Sequence, residues 1–198
     1  MSRGGGYATF GHVAMVSEVV THAKRHLNER LLTLDPNGSV DPVVVADGPL
    51  GMKRVDLHSP EDDDFSETVR LVIPAFLVAS EAVEVAVLRF FADDESDHGP
   101  GEAAVISHWH PAGEFLHSAE LLRRTTQPPV LGHWRDRQET AFTGDTADGV
   151  RRGLEMVGRL CTSEHRAMQI RLDTIRDRAS DTSLIPEVLD VLIGNKWI

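Results

Sequence analysis

The fold is decided by residues 81–124, which read EAVEVAVLRFFADDESDHGPGEAAVISHWHPAGEFLHSAELLRR. At the start of this stretch, valines at alternate positions are interleaved with further apolar residues, so both faces of the segment are largely apolar. That pattern is typical of a central strand that is covered on both sides. An acidic run with two glycines follows at 93–101 and ends the strand. The stretch therefore predicts a sheet built around a buried strand.

Two more strands, over 103–110 and 114–123, are predicted to form a hairpin across Pro111-Ala112-Gly113. We expect residue 110 to lie opposite residue 114, which places Trp109 on an apolar face together with His117. The other face of the hairpin is then polar. It carries His108, His110, Glu114, Ser118 and Glu120.

Two helices are predicted in the part of the chain that precedes these strands. Apolar residues recur at a spacing of three and four over 9–34, which indicates a long amphipathic helix. The sequence Ser59-Pro60-Glu61 is a strong helix start, and the helix is expected to run to 80 with a kink or a new turn at Pro74. Short strands are expected at 42–46 and 53–58. Residues 125–129 are expected to end the three-stranded sheet, and an edge strand is expected at 130–136.

The C-terminal third is predicted to be helical. After a surface loop at 140–149, two helices carry apolar stripes, and a short helix follows at 186–193. The predicted class is α+β, with an antiparallel sheet of three to five strands packed against the N-terminal helix and the second helix. Residues 1–138 are expected to form the sheet domain, and the helical segment 139–198 is expected to pack on it within one structural domain. Trp197 and Ile198 are apolar, so they are expected to dock on the core or on a second subunit.

Composition limits the classes of function. The chain has 198 residues, a net charge of −11 and one cysteine, Cys161, which predicts a reducing, cytoplasmic setting. The segment from Asp35 to Glu102 holds 16 acidic and four basic residues, a net charge of −12, so the remainder sums to +1. This field argues against general nucleic-acid binding and against anionic membranes. No apolar run is long enough to span a membrane.

One group of residues suggests a reaction. His108-Trp109-His110 followed by Ser118 resembles the JAMM metalloprotease motif, in which two histidines and an aspartate bind zinc and an upstream glutamate acts as general base. The resemblance covers about a dozen positions. Leu121 occupies the aspartate position here, Glu120 lies one residue early, and Glu84 or Glu81 would be the upstream acid, so the chain is not assigned to that family. In the hairpin, His108, His110 and Glu114 are the candidate metal ligands.

Three functions are compatible with these residues. The first is a non-enzymatic cytoplasmic module that binds another protein or itself, without a cofactor, with Trp197 and Ile198 at the interface. The alternative is a zinc-dependent hydrolase that uses His108 and His110. A weaker alternative is nucleic-acid contact through the C-terminal helices, whose polar faces carry seven arginines; a salt-bridged solvent face is the simpler interpretation of these residues. These arginines are Arg151, Arg152, Arg159, Arg166, Arg171, Arg176 and Arg178.

Overall fold

The computed structural model of the chain describes residues 17–35, 40–57, 65–93, 101–124, 127–139 and 141–198. The fold is α+β, as predicted. Five α-helices and seven strands form the described part, and a 3-10 turn at Ser163–His165 precedes α4. The helices are α1 (Glu18–Thr33), α2 (Phe65–Ser80), α3 (Asp145–Leu160), α4 (Arg166–Arg178) and α5 (Asp181–Gly194). The strands are β1 (Val43–Asp47), β2 (Lys53–Asp56), β3 (Glu84–Asp93), β4 (Gly101–His110), β5 (Gly113–Arg124), β6 (Gln127–Leu131) and β7 (Arg135–Glu139).

The strands form one antiparallel sheet in the order β2-β1-β3-β4-β5-β6, and β7 also pairs with β5. The predicted number of strands, three to five, was too low. The predicted end of the sheet at residues 125–129 was also wrong, because β6 begins at Gln127 and contains Pro128 and Pro129. Proline is tolerated there because β6 is an edge strand among the described strands, so no second neighbour of that sheet needs the missing N–H.

Helix α1 covers one face of the sheet. Ser17 caps its first turn by accepting a hydrogen bond from the N–H of Val20, and Glu18 and Arg30 complement the helix dipole at the two ends. Its buried side chains pack on apolar residues of β1, β3 and β4, among them Val43, Leu88 and Ile106. The part of the predicted helix at 9–16 lies outside the described residues, as does the predicted helix start at 59–64.

Helices α2 and α3 cover the opposite face of β1, β3 and β4, with Val85, Val87 and Trp109 beneath them. Helix α2 continues through Pro74. Helices α4 and α5 pack on α2 and α3 and form a third apolar cluster with them. The loop predicted at 140–149 was wrong from Asp145 onward: its acidic residues lie in the first turn of α3, where they complement the helix dipole.

Candidate functional site

The hairpin of β4 and β5 determines which side chains meet. Its loop has two residues, Pro111 and Ala112, so His110 lies opposite Gly113, whose φ is 145°. The predicted pairing of residue 110 with residue 114 was therefore wrong by one residue. Because neighbouring residues of a strand point to opposite faces, this shift moves Glu114 away from His108 and brings His117 to the face of His108.

Four side chains from neighbouring strands form a row on the α1 face, which we call the histidine cluster. Nε2 of His108 lies 2.7 Å from Oε1 of Glu84, and Nδ1 of His117 lies 2.8 Å from Oδ1 of Asp136. The two histidines also face each other, with 3.5 Å between Nδ1 of His108 and Nε2 of His117. Each imidazole is thus held by a carboxylate on one nitrogen and faces the other imidazole with the second.

Helix α1 contributes two contacts that tie it to the cluster. The hydroxyl of Ser17 donates a hydrogen bond to Oε1 of Glu84, while Nζ of Lys24 lies 3.8 Å from Oδ1 of Asp136. Lys24 also lies over the ring of Trp134, at 4.6 Å from its centroid. Ser17 donates to a carboxylate rather than to an imidazole, so the arrangement lacks the hydroxyl–imidazole bond that activates a serine nucleophile.

Burial sets the protonation of the cluster. It lowers the pKa of His108 and of His117, and the bonds to Glu84 and Asp136 offset this only in part. Burial also lowers the pKa of Lys24. For Asp136, burial raises the pKa, but the bond from His117 and the charge of Lys24 outweigh it and hold the pKa below the usual range. The two imidazoles are therefore biased towards the neutral form.

The three predicted metal ligands do not converge. Glu114 lies on the opposite face of the sheet, where it accepts hydrogen bonds from Arg151 at 3.1 Å and from the N–H of Phe142. The ring of His110 lies 5.8 Å from that of His108, centroid to centroid, and its Nδ1 accepts the N–H of Ala112 at 3.0 Å. Within the described ranges, no group of three or more His, Cys, Asp or Glu side chains is placed to hold a metal ion.

The geometry of the JAMM motif is not formed either. Ser118 lies in the middle of β5, opposite Val105 and on the other face from His108, and Leu121 is buried under α1. Glu84, considered as the upstream acid, binds His108 directly. The sequence interpretation missed Ser17, Lys24, His117 and Asp136. A prediction with a two-residue hairpin loop would have placed His117 on the same face as His108.

A second feature is an apolar area beyond the helices that cover the other face of the sheet. We call it the open sheet face and define it by Phe91, Leu122 and Val130, which are 44%, 42% and 38% exposed. Phe91 lies opposite Ala103 and Leu122 opposite Val130, so all three side chains project on one side of β3–β6. Leu122 and Val130 are cross-strand neighbours, and Phe91 lies on the same face with β4 between it and Leu122, so the three residues share one exposed face of the sheet.

Arg89 borders this patch. Its guanidinium lies 4.9 Å from the centroid of Phe91 and donates to the hydroxyl of Thr146 at 3.3 Å. Its Nε is buried without a hydrogen-bond partner, and burial lowers its pKa. No carboxylate of the described segments forms an ion pair with it. The guanidinium is therefore a positive charge at the edge of an apolar surface.

The C-terminal tail docks on its own chain. Trp197 is half-buried, lies 4.4 Å from the guanidinium of Arg159 and 5.0 Å from the ring of His165, and its carbonyl accepts from Arg152. Trp197 and Ile198 both pack against the third apolar cluster. Their role in an interface with another chain stays a prediction.

Several arginines of the C-terminal helices are engaged within the chain. Arg176 donates to the carbonyls of Val78 and Ala79 and pairs with Glu81, and Arg178 pairs with Glu187 at 2.8 Å. These contacts favour the salt-bridged interpretation over a surface for nucleic acid, whose binding stays a prediction.

Comparisons with known proteins add no relative. No protein-family model matches the chain, and neither a curated protein nor a solved structure is significantly similar to it. Among the helices of the described residues, none has the length and apolar character that crossing a bilayer requires.

Proposed function

We propose that the protein acts by binding another protein, or a second copy of itself, through the open sheet face. The observation that carries this proposal is the exposure of Leu122 and Val130 as a cross-strand pair, with Phe91 exposed on the same face of the sheet two strands away. Burying such side chains in an interface is worth about 1.5–3 kcal/mol each. A sheet surface that is apolar and rimmed by charge is the kind of surface that partners cover.

Arg89 suggests the chemistry of the partner. Its charge has no carboxylate partner in the described part of the chain and lies beside Phe91. An acidic group next to an apolar side chain on the partner would complement it, because opposite charges across an interface set its specificity.

The proposal assigns no catalytic step. In the histidine cluster, each side chain is bonded to another side chain, and the hydroxyl of Ser17 is held by Glu84. The hydrolase alternative required His108, His110 and Glu114 to converge, and Glu114 lies on the opposite face of the sheet. The proposed cytoplasmic setting rests on Cys161, a free and exposed thiol that a reducing compartment would preserve.

The test compares two leucine-to-lysine variants by light scattering over a range of protein concentrations. Leu122→Lys places a charge in the open sheet face, and Leu32→Lys places the same charge on α1, where Leu32 is 76% exposed. If the chain self-associates through this face, Leu122→Lys weakens association by roughly 10- to 150-fold, the equivalent of one buried apolar side chain. Leu32→Lys behaves as the wild type.

For a partner that is a different protein, the same pair of variants is compared for binding to that protein by titration calorimetry. Equal behaviour of Leu122→Lys and Leu32→Lys in both assays would contradict the proposal. Trp197→Ala tests the predicted interface at the tail separately. Since Trp197 packs on its own chain, its loss is expected to lower the melting temperature, and a change in the mass of the particle would indicate that the tail belongs to the interface.

A further inference from the structure

The histidine cluster contains an unusual contact between two imidazole nitrogens. Nε2 of His108 is 2.7 Å from Glu84, and Nδ1 of His117 is 2.8 Å from Asp136. An ionised carboxylate only accepts hydrogen bonds, so these two ring nitrogens carry the protons. The ring nitrogens that remain, Nδ1 of His108 and Nε2 of His117, face each other at 3.5 Å.

The number of protons on the two imidazoles determines what can lie between the facing nitrogens. A neutral imidazole carries one proton, which each ring here already donates to its carboxylate. Both facing nitrogens then present lone pairs, and two lone pairs repel unless a positive species lies between them. That species is either an additional proton or a metal ion. A shared proton would draw the two nitrogens to a hydrogen-bond distance of about 2.7–3.2 Å, whereas they lie 3.5 Å apart.

We propose that Nδ1 of His108 and Nε2 of His117 bind one transition-metal ion of the class that prefers imidazole, such as zinc, copper, nickel or cobalt. Zinc–nitrogen bonds are about 2.0–2.1 Å long, so a separation of 3.5 Å corresponds to an N–Zn–N angle of roughly 117°, close to tetrahedral. The site lies on the α1 face of the sheet and is independent of the open sheet face.

The carboxylates fit the same interpretation. Histidines that bind metals usually donate their other N–H to a carboxylate, which fixes the tautomer and the orientation of the ring. Glu84 and Asp136 hold both rings in this way, and Ser17 in turn donates to Glu84. Because the described residues supply no group of three metal-binding side chains, the remaining coordination positions are filled by solvent or by a small exogenous donor.

The experiment uses the full chain after treatment with a chelator and dialysis. Zinc chloride is titrated by calorimetry, and cobalt is titrated while visible absorption reports tetrahedral coordination. We expect one saturable site per chain. We expect affinity to fall by about tenfold or more in His117→Gln, and by roughly 10- to 100-fold in Asp136→Asn, which leaves both ligands in place but removes the charge that orients one of them. The exposed His133 provides the control: His133→Gln binds as the wild type does.

A second measurement keeps the proposal testable if a variant folds poorly. Nitrogen NMR of the imidazoles in the wild-type chain reports each ring nitrogen separately. Zinc is expected to shift Nδ1 of His108 and Nε2 of His117 while their partner nitrogens stay protonated. Absence of saturable binding, equal affinity in His117→Gln and His133→Gln, or unshifted signals from these two nitrogens would each overturn the proposal.

Discussion

The packing of α2 against α3 depends on Gly153, and this dependence can be measured with one methyl group. A Cβ atom at Gly153 would lie 2.8 Å from Cδ1 of Leu77, 3.0 Å from its Cβ and 3.1 Å from Cα of Pro74. The side-chain end of Leu77 can move, but the backbone of Pro74 moves only with its helix. Gly158 lies in the same helix, and a Cβ atom there would meet nothing within 4 Å.

The two alanine variants therefore separate packing from helix propensity. Alanine in place of glycine in a helix contributes about 1 kcal/mol, and Gly158→Ala should gain close to this amount. Gly153→Ala gains the same term and loses about 1–3 kcal/mol to overpacking, so it should be neutral or destabilised by up to about 2 kcal/mol. The difference between the variants is then the overpacking cost alone, roughly 2–12 °C in melting temperature for a chain of this size.

Urea denaturation and calorimetry of both variants provide the measurement, with the slope of the urea transition as a check that the unfolded state is unchanged. If Gly153→Ala were as stable as Gly158→Ala, α2 and α3 would not approach as closely as described. Helices α2 and α3 would then not form the tightly packed layer over the second face of the sheet.

Two further predictions concern buried polar groups. The pKa of His26 is lowered mainly by burial and also by the charge of Arg54. As the pH falls, the imidazole of His26 is therefore protonated at a higher pH in the unfolded chain than in the folded chain. Its contribution to stability is complete above about pH 6.5 and decreases as the pH falls; in His26→Gln the acid slope of the unfolding free energy should be less steep, by up to about 1.4 kcal/mol per pH unit, whereas His133→Gln should leave it unchanged. Arg176 donates to the carbonyls of Val78 and Ala79 at the end of α2, which a lysine cannot do in the same geometry. Arg176→Lys should lower the free energy of unfolding by about 1–3 kcal/mol. If high salt lowered the stability of the wild type by the same amount, Arg176 would instead act only through its charge.

The sequence was sufficient for the class of fold and for its central hairpin, because apolar alternation reports burial directly. It was insufficient for the register. Both faces of β4 are covered, so Ala104 and Ile106 on one face and Trp109 on the other are equally compatible with burial. When neither face is polar, the pattern does not distinguish a two-residue loop from a three-residue loop. That single residue decides whether Glu114 or His117 meets His108.

Other errors have local causes. The prolines in β6 are typical of the end of a sheet, but an edge strand tolerates them. The Thr, Gly and Asp residues before α3 are typical of a loop, but acidic residues also stabilise the first turn of a helix. The contacts of Ser17 and Lys24 with the cluster join α1 to strands far away in the chain, and no local pattern encodes such contacts.

The outer edge of the sheet has a consequence for aggregation. Strands β6 and β7 pair one after the other along the same side of β5, and the irregular segment 132–134 separates them. Strand β6 contains two prolines, and β7 consists almost entirely of charged residues. At the opposite margin, β2 has only four residues, three of them charged. Both borders of the described sheet are thus poor templates for the backbone of another molecule, which disfavours fibril growth by strand addition to them.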